Sequence, residues 1–154
     1  MSSKRHIVRL AYRAMNILII GAARGIGRHL TEQALTDGHR VTGLVPDPMG
    51  ASLSRPNLRL VGGSIVSSAA VAEAMEGQDA VCIAIGIRPT HLAVDVFSSG
   101  TKVVLTAMHN AGVRRLVCVT GIGAGDSRGH GGGIYDRIVQ PMLLKSIYAD
   151  KDRQ

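Results

Sequence analysis

The chain has 154 residues, 45% of them hydrophobic, and a formal net charge of +7. That length and composition suit one globular domain with a real core, not a disordered chain, and no apolar run is long enough to span a bilayer. Lys4, Arg5, Arg9 and Arg13 supply four of the positive charges, leaving +3 for the rest, and the only aromatics are Tyr12, Phe97, Tyr135 and Tyr148, so neither a nucleic-acid nor a membrane partner is expected.

Residues 1–14 contain no acid and read as a basic N-terminal extension, expected to be disordered, either a targeting peptide or an upstream extension. The domain proper is residues 15–154, with Met15 immediately before the first strand. Ile17 to Ile20 is a continuous apolar run, as in a strand covered on both faces. Three glycines follow as Gly21-x-x-x-Gly25-x-Gly27. Then Ile26, Leu30 and Ala34 recur every four residues, predicting a helix buried along that stripe and stopped at Gly38.

Val41 to Val45 is the next predicted strand. Residues 46–57 hold Pro46, Pro48 and Pro56, so any helix there is short. Leu58 to Val61 reads as strand three, Ser67 to Met75 as a helix, Ala80 to Ile85 as strand four, Val96 to Asn110 as a longer helix stopped by Gly112, and Leu116 to Val119 as strand five. Strands alternating with helices imply β-α-β units and a parallel sheet. The expected fold is therefore α/β, a doubly wound Rossmann-type sheet of order 3-2-1-4-5 with its topological switch between strands one and four.

Residues 121–133 contain seven glycines and read as a mobile loop at the ligand edge of the sheet. Asp126 and His130 within it are expected to be solvated. Ile134, Ile138 and Met142 suggest a further helix, divided at Pro141. No sixth strand appears before Gln154, so the domain is expected to be C-terminally incomplete. Strand five would then need cover from residues 134–154, from another subunit in a homo-oligomer, or from further chain.

Cys82 and Cys118 each lie in an apolar run. They are expected to be buried thiols in a reducing compartment, which points to the cytoplasm. The six histidines do not cluster with them, and no metal site is expected.

The glycine turn carries the chemistry. Gly21 permits a sharp turn after the strand, Gly25 lets backbone approach a pyrophosphate, and Gly27 lets helix pack on strand. Unpaired amides and the positive helix end then face the phosphates. With a strand before it and a helix after it, the triplet points to a dinucleotide.

The turn Ile20-Gly-Ala-Ala-Arg-Gly-Ile-Gly27 also resembles that of short-chain dehydrogenases and reductases. Leu44-Val45-Pro46-Asp47, Val61-Gly62-Gly63-Ser64-Ile65, Ala84-Ile85-Gly86, and Ala111 to Val117 followed by Val119-Thr120 extend the resemblance along the chain. Together they resemble the atypical NAD(P)H-binding branch, which includes flavin and biliverdin reductase-like enzymes and NmrA-like redox sensors. Arg24 stands at the middle position of that branch's Gly-x-x-Gly-x-x-Gly. Pro46 replaces a basic residue that contacts a 2′-phosphate, and Ser64 replaces an Asp near the adenine.

The resemblance implies a cofactor site of Gly21, Ala23, Arg24, Gly25, Ile26, Gly27, Asp47, Ser64, Ile65, Ala84, Ile85, Gly86 and Thr120. NADP(H) is favoured through Arg24, while Asp47 would suit NAD(H). Thr120 stands where the family places a Ser that polarises the substrate, and it is the one candidate catalytic residue. The family's Tyr-x-x-x-Lys is absent: Val139 follows Tyr135 at that spacing, Asp152 follows Tyr148, and Lys151 falls one residue early. The expected function is hydride transfer from NAD(P)H to a small flavin- or quinone-like acceptor without a Tyr proton donor. The alternative is a non-enzymatic NAD(P)H-binding redox sensor.

Overall fold

The structure is a computed structural model, and it describes residues 13–86, 95–120 and 150–151. Five strands alternate with three helices in the described residues: β1 (Asn16–Ile20), α1 (Gly25–Thr36), β2 (Arg40–Val45), β3 (Leu58–Gly62), α2 (Ser68–Met75), β4 (Ala80–Ile83), α3 (Val96–Ala111) and β5 (Leu116–Cys118). All pairings are parallel, and the order is β3-β2-β1-β4-β5. This is the predicted Rossmann-type arrangement, with the strand order reversing between β1 and β4.

Strand alternation sorts the core into two faces. Leu18, Ile20, Leu44, Val61, Val81 and Ile83 point to the side covered by α2 and α3, where Val71, Met75, Val104 and Met108 meet them. Ile19, Val41 and Val45 point to the α1 side and pack with Ala22 and Ala34. Covering both faces explains why β1 and β2 read as continuous apolar runs rather than alternating ones.

Two sequence expectations change in detail, the face that α1 buries and the depth of the cysteines. The buried face of α1 is Gly27, Thr31 and Ala34, while Ile26 is 62% exposed. The cause is Gly27. A Cβ there would fall inside contact distance of the Gly21 carbonyl oxygen, so the helix sits directly on the turn at that position. Ile26, one residue earlier, is rotated by about 100° away from the sheet. Thr31 is nevertheless satisfied in the core, since its hydroxyl donates to the Gly27 carbonyl at 2.8 Å.

The segment between β2 and β3 forms turns and no helix, with Ser52 and Asn57 at positive φ. The two cysteines are half-buried rather than fully buried. They occupy neighbouring strands, but Cys82 pairs in register with Val117 and Cys118 with Ile83. One residue of offset places the thiols on opposite faces of the sheet. Burial pushes both thiols above their ordinary pKa.

The ends of α3 frame the later argument. Its C-terminus closes on Gly112 in the left-handed conformation, as expected. Its N-cap, Asp95, makes no side-chain capping bond. The amides of Phe97 and Ser98 are instead accepted by Asp150, at 2.7 and 3.3 Å, and the Ser98 hydroxyl also donates to that carboxylate. Asp150 is fully buried. No helix among the described residues is long and apolar enough to cross a membrane.

Candidate functional site

Four strand ends converge on one cleft of about 600 Å³. After β1 come Gly21, Ala23, Arg24, Gly25 and Ile26; after β2, Val45, Pro46, Asp47, Gly50 and Ala51; after β4, Ala84, Ile85 and Gly86; after β5, Val119. The cleft therefore opens at the carboxyl ends of the strands and straddles the β1/β4 switch, where open α/β sheets bind ligands. Two hollows of about 410 and 520 Å³ lie at the opposite edge, where Arg40, Arg59, Arg114 and Arg115 stand at or just before the starts of strands, and neither has a glycine-rich helix start.

The β1–α1 turn is shaped by what cannot fit beside it. Gly21 has φ 90°, and a Cβ there would stand 2.6 Å from the Ala84 carbonyl oxygen. This residue is thus pinched between β1 and β4, as its sequence role requires. Its own amide donates to Leu44 O at 3.0 Å, tying the turn to β2 as well. Gly25 is the opposite case. At φ 50° it is exposed on the cleft, and among the described residues a Cβ there would meet nothing within 4 Å. The space in front of it belongs to the cleft.

The helix start is equally open. Arg24 is the N-cap of α1, in extended conformation, with no side-chain capping bond. The first helix-closing bond runs from Arg28 N to Arg24 O, so the amides of Gly25, Ile26 and Gly27 precede the helical ladder. They lie at the positive end of a 12-residue helix that has no acid in its first turn. Such an end suits an anion. Arg24 is exposed on the cleft and makes no ion pair among the described residues, whereas Arg28 one turn on is paired with Glu32 at 3.1 Å.

Across the cleft, Asp47 is folded onto its own loop. Its Oδ1 accepts from Met49 N at 3.0 Å, and Gly50 passes so close that a Cβ there would strike Oδ2. On the β4 side, Ala84 N donates to Ile20 O at 2.9 Å and Val119 N to Ile83 O at 2.8 Å, so both walls hang from sheet hydrogen bonds.

The sequence-derived residues divide into three groups. Gly21, Ala23, Arg24, Gly25, Ile26, Asp47, Ala84, Ile85 and Gly86 line the cleft together. Gly27 lies beneath it as the contact between α1 and the turn. Ser64, Ile65 and Thr120 are not in its wall. Ser64 is exposed, Ile65 is a core residue packed toward Gly100 of α3, and Thr120 is exposed beside Val119. Asp126, His130, Tyr135 and Tyr148 lie outside the described residues.

Val45, Pro46, Gly50, Ala51 and Val119 line the cleft without having been singled out as site residues. The signal for Gly50 and Ala51 was the turn chemistry of Asp47-Pro-Met-Gly, which curls the loop back toward β2. Among the described residues no group of three or more His, Cys, Asp or Glu side chains is arranged to hold a metal.

A family model described as NAD(P)H-binding matches residues 21–154, starting at the first glycine of the turn. An uncharacterized protein of Mycobacterium tuberculosis is 34% identical over 108 residues, 67% of this chain and 12% of that protein. The photosystem II assembly factor Ycf39 of Synechocystis is 30% identical over 106 residues, 67% of this chain and 32% of that one. The chain thus spans about an eighth to a third of the length of these relatives. A Rossmann-fold NAD(P)-binding family protein from Shigella flexneri superposes with a TM-score of 0.60 at 27% identity, covering 76% of this chain and 57% of that one.

Proposed function

The chain belongs to the NAD(P)H-binding family of Rossmann-fold proteins related to atypical short-chain dehydrogenases and reductases, and from that premise we propose that it is a reductase acting on a flat, flavin- or quinone-like acceptor. The observation that carries the reading is the cleft itself. An uncapped helix start, a glycine with open space before it and a wall at the neighbouring strand end share one concave surface at the switch point.

The chain's residues would divide the work as follows. The amides opening α1 hold the pyrophosphate, and Gly25 leaves room for it. The β2 side takes the adenosine half, with Ser64 contributing beyond Asp47 and Ile65 supporting that side from the core. The β4 side, Ala84 to Gly86, takes the nicotinamide half. NADP(H) is the preferred coenzyme, with NAD(H) as the weaker one. Arg24 makes no ion pair among the described residues and is exposed on the cleft, and its planar fork suits a 2′-phosphate, whereas the Asp47 carboxylate is engaged by its own loop.

When bound, the dinucleotide supplies a hydride. Thr120, next to the cleft-lining Val119, offers a hydroxyl to orient the acceptor. No Tyr-x-x-x-Lys pair is present to protonate a poor acceptor. Flavins and quinones take their proton readily from water, so positioning is the main demand on the protein.

The test is NADPH oxidation against flavin, quinone and simple ketone acceptors. Flavin or quinone turnover is expected to survive Tyr135→Phe and Tyr148→Phe with far less than the roughly 10²–10⁴-fold loss typical of removing a general acid. Thr120→Val is expected to reduce it more than either. Ketone reduction abolished by a Tyr→Phe change would overturn the mechanism. The second reading, a dinucleotide-binding regulator of partner proteins, is favoured by the name of the Synechocystis relative, an assembly factor. NADPH binding without turnover of any acceptor would select it.

A further inference from the structure

The buried carboxylate of Asp150 stands far from the glycine turn in sequence and has no part in the function proposed above. It is fully buried, and a buried carboxylate persists only when donors surround it. Here the donors are the Phe97 and Ser98 amides and the Ser98 hydroxyl, all in the first turn of α3. A residue more than fifty positions downstream thereby caps a helix whose own N-cap side chain makes no capping bond.

The next residue extends the link. The Lys151 ammonium lies 4.9 Å from the centre of the Phe97 ring. Lys151 also lies within electrostatic range of the thiol of Cys118, the last residue of β5. Residues 150 and 151 therefore sit against the start of α3 with the end of β5 close by. Val96 in that first helical turn, Cys118 and Ile85 all pack against one core cluster. Ile85 and Val119, the residue after Cys118, are cleft wall. One turn on from Val96, on the same face of α3, a Cβ at Gly100 would stand 2.6 Å from the Ile65 side chain, so this end of the helix lies closely seated on that core.

We propose that Asp150 is a positioning residue for the nicotinamide-side wall of the cleft: by accepting the amides that open α3, it fixes where Ile85 and Val119 stand. The assignment of that wall to the nicotinamide half rests on the function proposed above. The mechanical coupling does not, because it follows from the capping bonds and the shared packing alone.

The experiment is amide hydrogen exchange on the full chain, comparing wild type with Asp150→Ala and Asp150→Asn. Phe97 and Ser98 report the cap, and Ala84 and Val119 report the wall through their bonds to Ile20 O and Ile83 O. In Asp150→Ala, exchange is expected to accelerate at all four, by roughly tenfold or more at the cap, the scale of losing a hydrogen bond to a charged group. Asp150→Asn retains an acceptor oxygen and is expected to show a smaller rise at the same four amides. It also serves as the test if the alanine variant does not fold.

Ser67→Ala, which uncaps α2, is the control and should leave Ala84 and Val119 unchanged. Acceleration confined to Phe97 and Ser98 would overturn the proposal, as would equal acceleration across the whole sheet. With a turning-over acceptor, Asp150→Asn should raise the acceptor KM while the NADPH dissociation constant stays within about twofold. Failure of wild type to bind NADPH would sink the proposed function and leave the exchange result standing.

Discussion

The first turns of α1 and α3 face the same physical problem and resolve it in opposite ways. Each leaves backbone amides without helical partners. At α3 a buried aspartate from the far end of the chain accepts them, and that helix start is sealed. At α1 the N-cap Arg24 makes no side-chain capping bond, no acid sits in the first turn, and the amides open on the cleft at the ligand edge. Between them α2 takes the ordinary course, with Ser67 accepting from Ala70 N. Two helix starts are thus closed by side chains, and the third opens on a cleft, where an external anion would be favoured.

Gly27→Val gives the largest effect expected, and it breaks the comparison by removing α1 from its seat. The Gly21 carbonyl is backbone and cannot rotate aside as a side chain would. The cost should exceed the roughly 1–3 kcal/mol of ordinary overpacking. Denaturant unfolding should show a large fall in midpoint or no cooperative transition. A variant with wild-type stability would mean that α1 is not seated on the turn.

Gly25→Val separates binding from folding. Among the described residues no atom opposes the new side chain, so the left-handed backbone is what resists it, at a cost of about 1–2 kcal/mol. The side chain would occupy the space before the open amides. Losing even one hydrogen bond to a charged phosphate corresponds to roughly 1.5–3 kcal/mol, or about tenfold to a hundredfold in NADPH affinity. Titration by nicotinamide fluorescence, with circular dichroism as the check on folding, decides it. Undiminished affinity in a folded variant would remove the dinucleotide from this cleft.

Arg24→Ala sharpens the comparison at the level of a single charge. Arg24 is the N-cap of the open helix and is exposed, so solvent weakens whatever it binds. NADPH affinity should fall by about three- to tenfold, with NADH affinity changing less than about twofold. Equal losses for both coenzymes would assign Arg24 to the pyrophosphate, and tighter wild-type binding of NADH would reverse the preference.

The open helix start was legible in sequence because its whole signal is local. Strand, glycines and helix follow within a dozen residues, and each glycine has one mechanical duty. The strand order was legible for a related reason, since alternating elements leave few topologies for a parallel sheet. What escaped was set by packing. Ile26 continues the four-residue repeat of Leu30 and Ala34, yet with Gly27 seated on the turn only Leu30 and Ala34 pack on the sheet and Ile26 is turned away, because the closest approach of a helix is made by its smallest residue. The resemblance implies Ile65 as a residue of the coenzyme site, and the sequence alone does not show that Gly100 of α3 leaves a notch that its side chain fills. The sealing of α3 by Asp150 was invisible for the plainest reason, since nothing local marks an acid as the cap of a helix fifty residues earlier.

Ser67→Ala is the smallest effect and calibrates the others. Its hydroxyl accepts from Ala70 N at 3.4 Å, a long bond in a half-buried place. Water reaches that amide once the hydroxyl is gone, so the desolvation penalty is small and the loss belongs at the low end for a cap, about 0.5–1 kcal/mol. The denaturant midpoint should drop accordingly while NADPH affinity stays put, because α2 packs behind the sheet and contributes nothing to the cleft wall. A change in NADPH affinity on removing this distant cap would mean that helix capping anywhere in the domain feeds the cleft. The open start of α1 would then no longer be a distinct site but one end of a uniformly coupled fold.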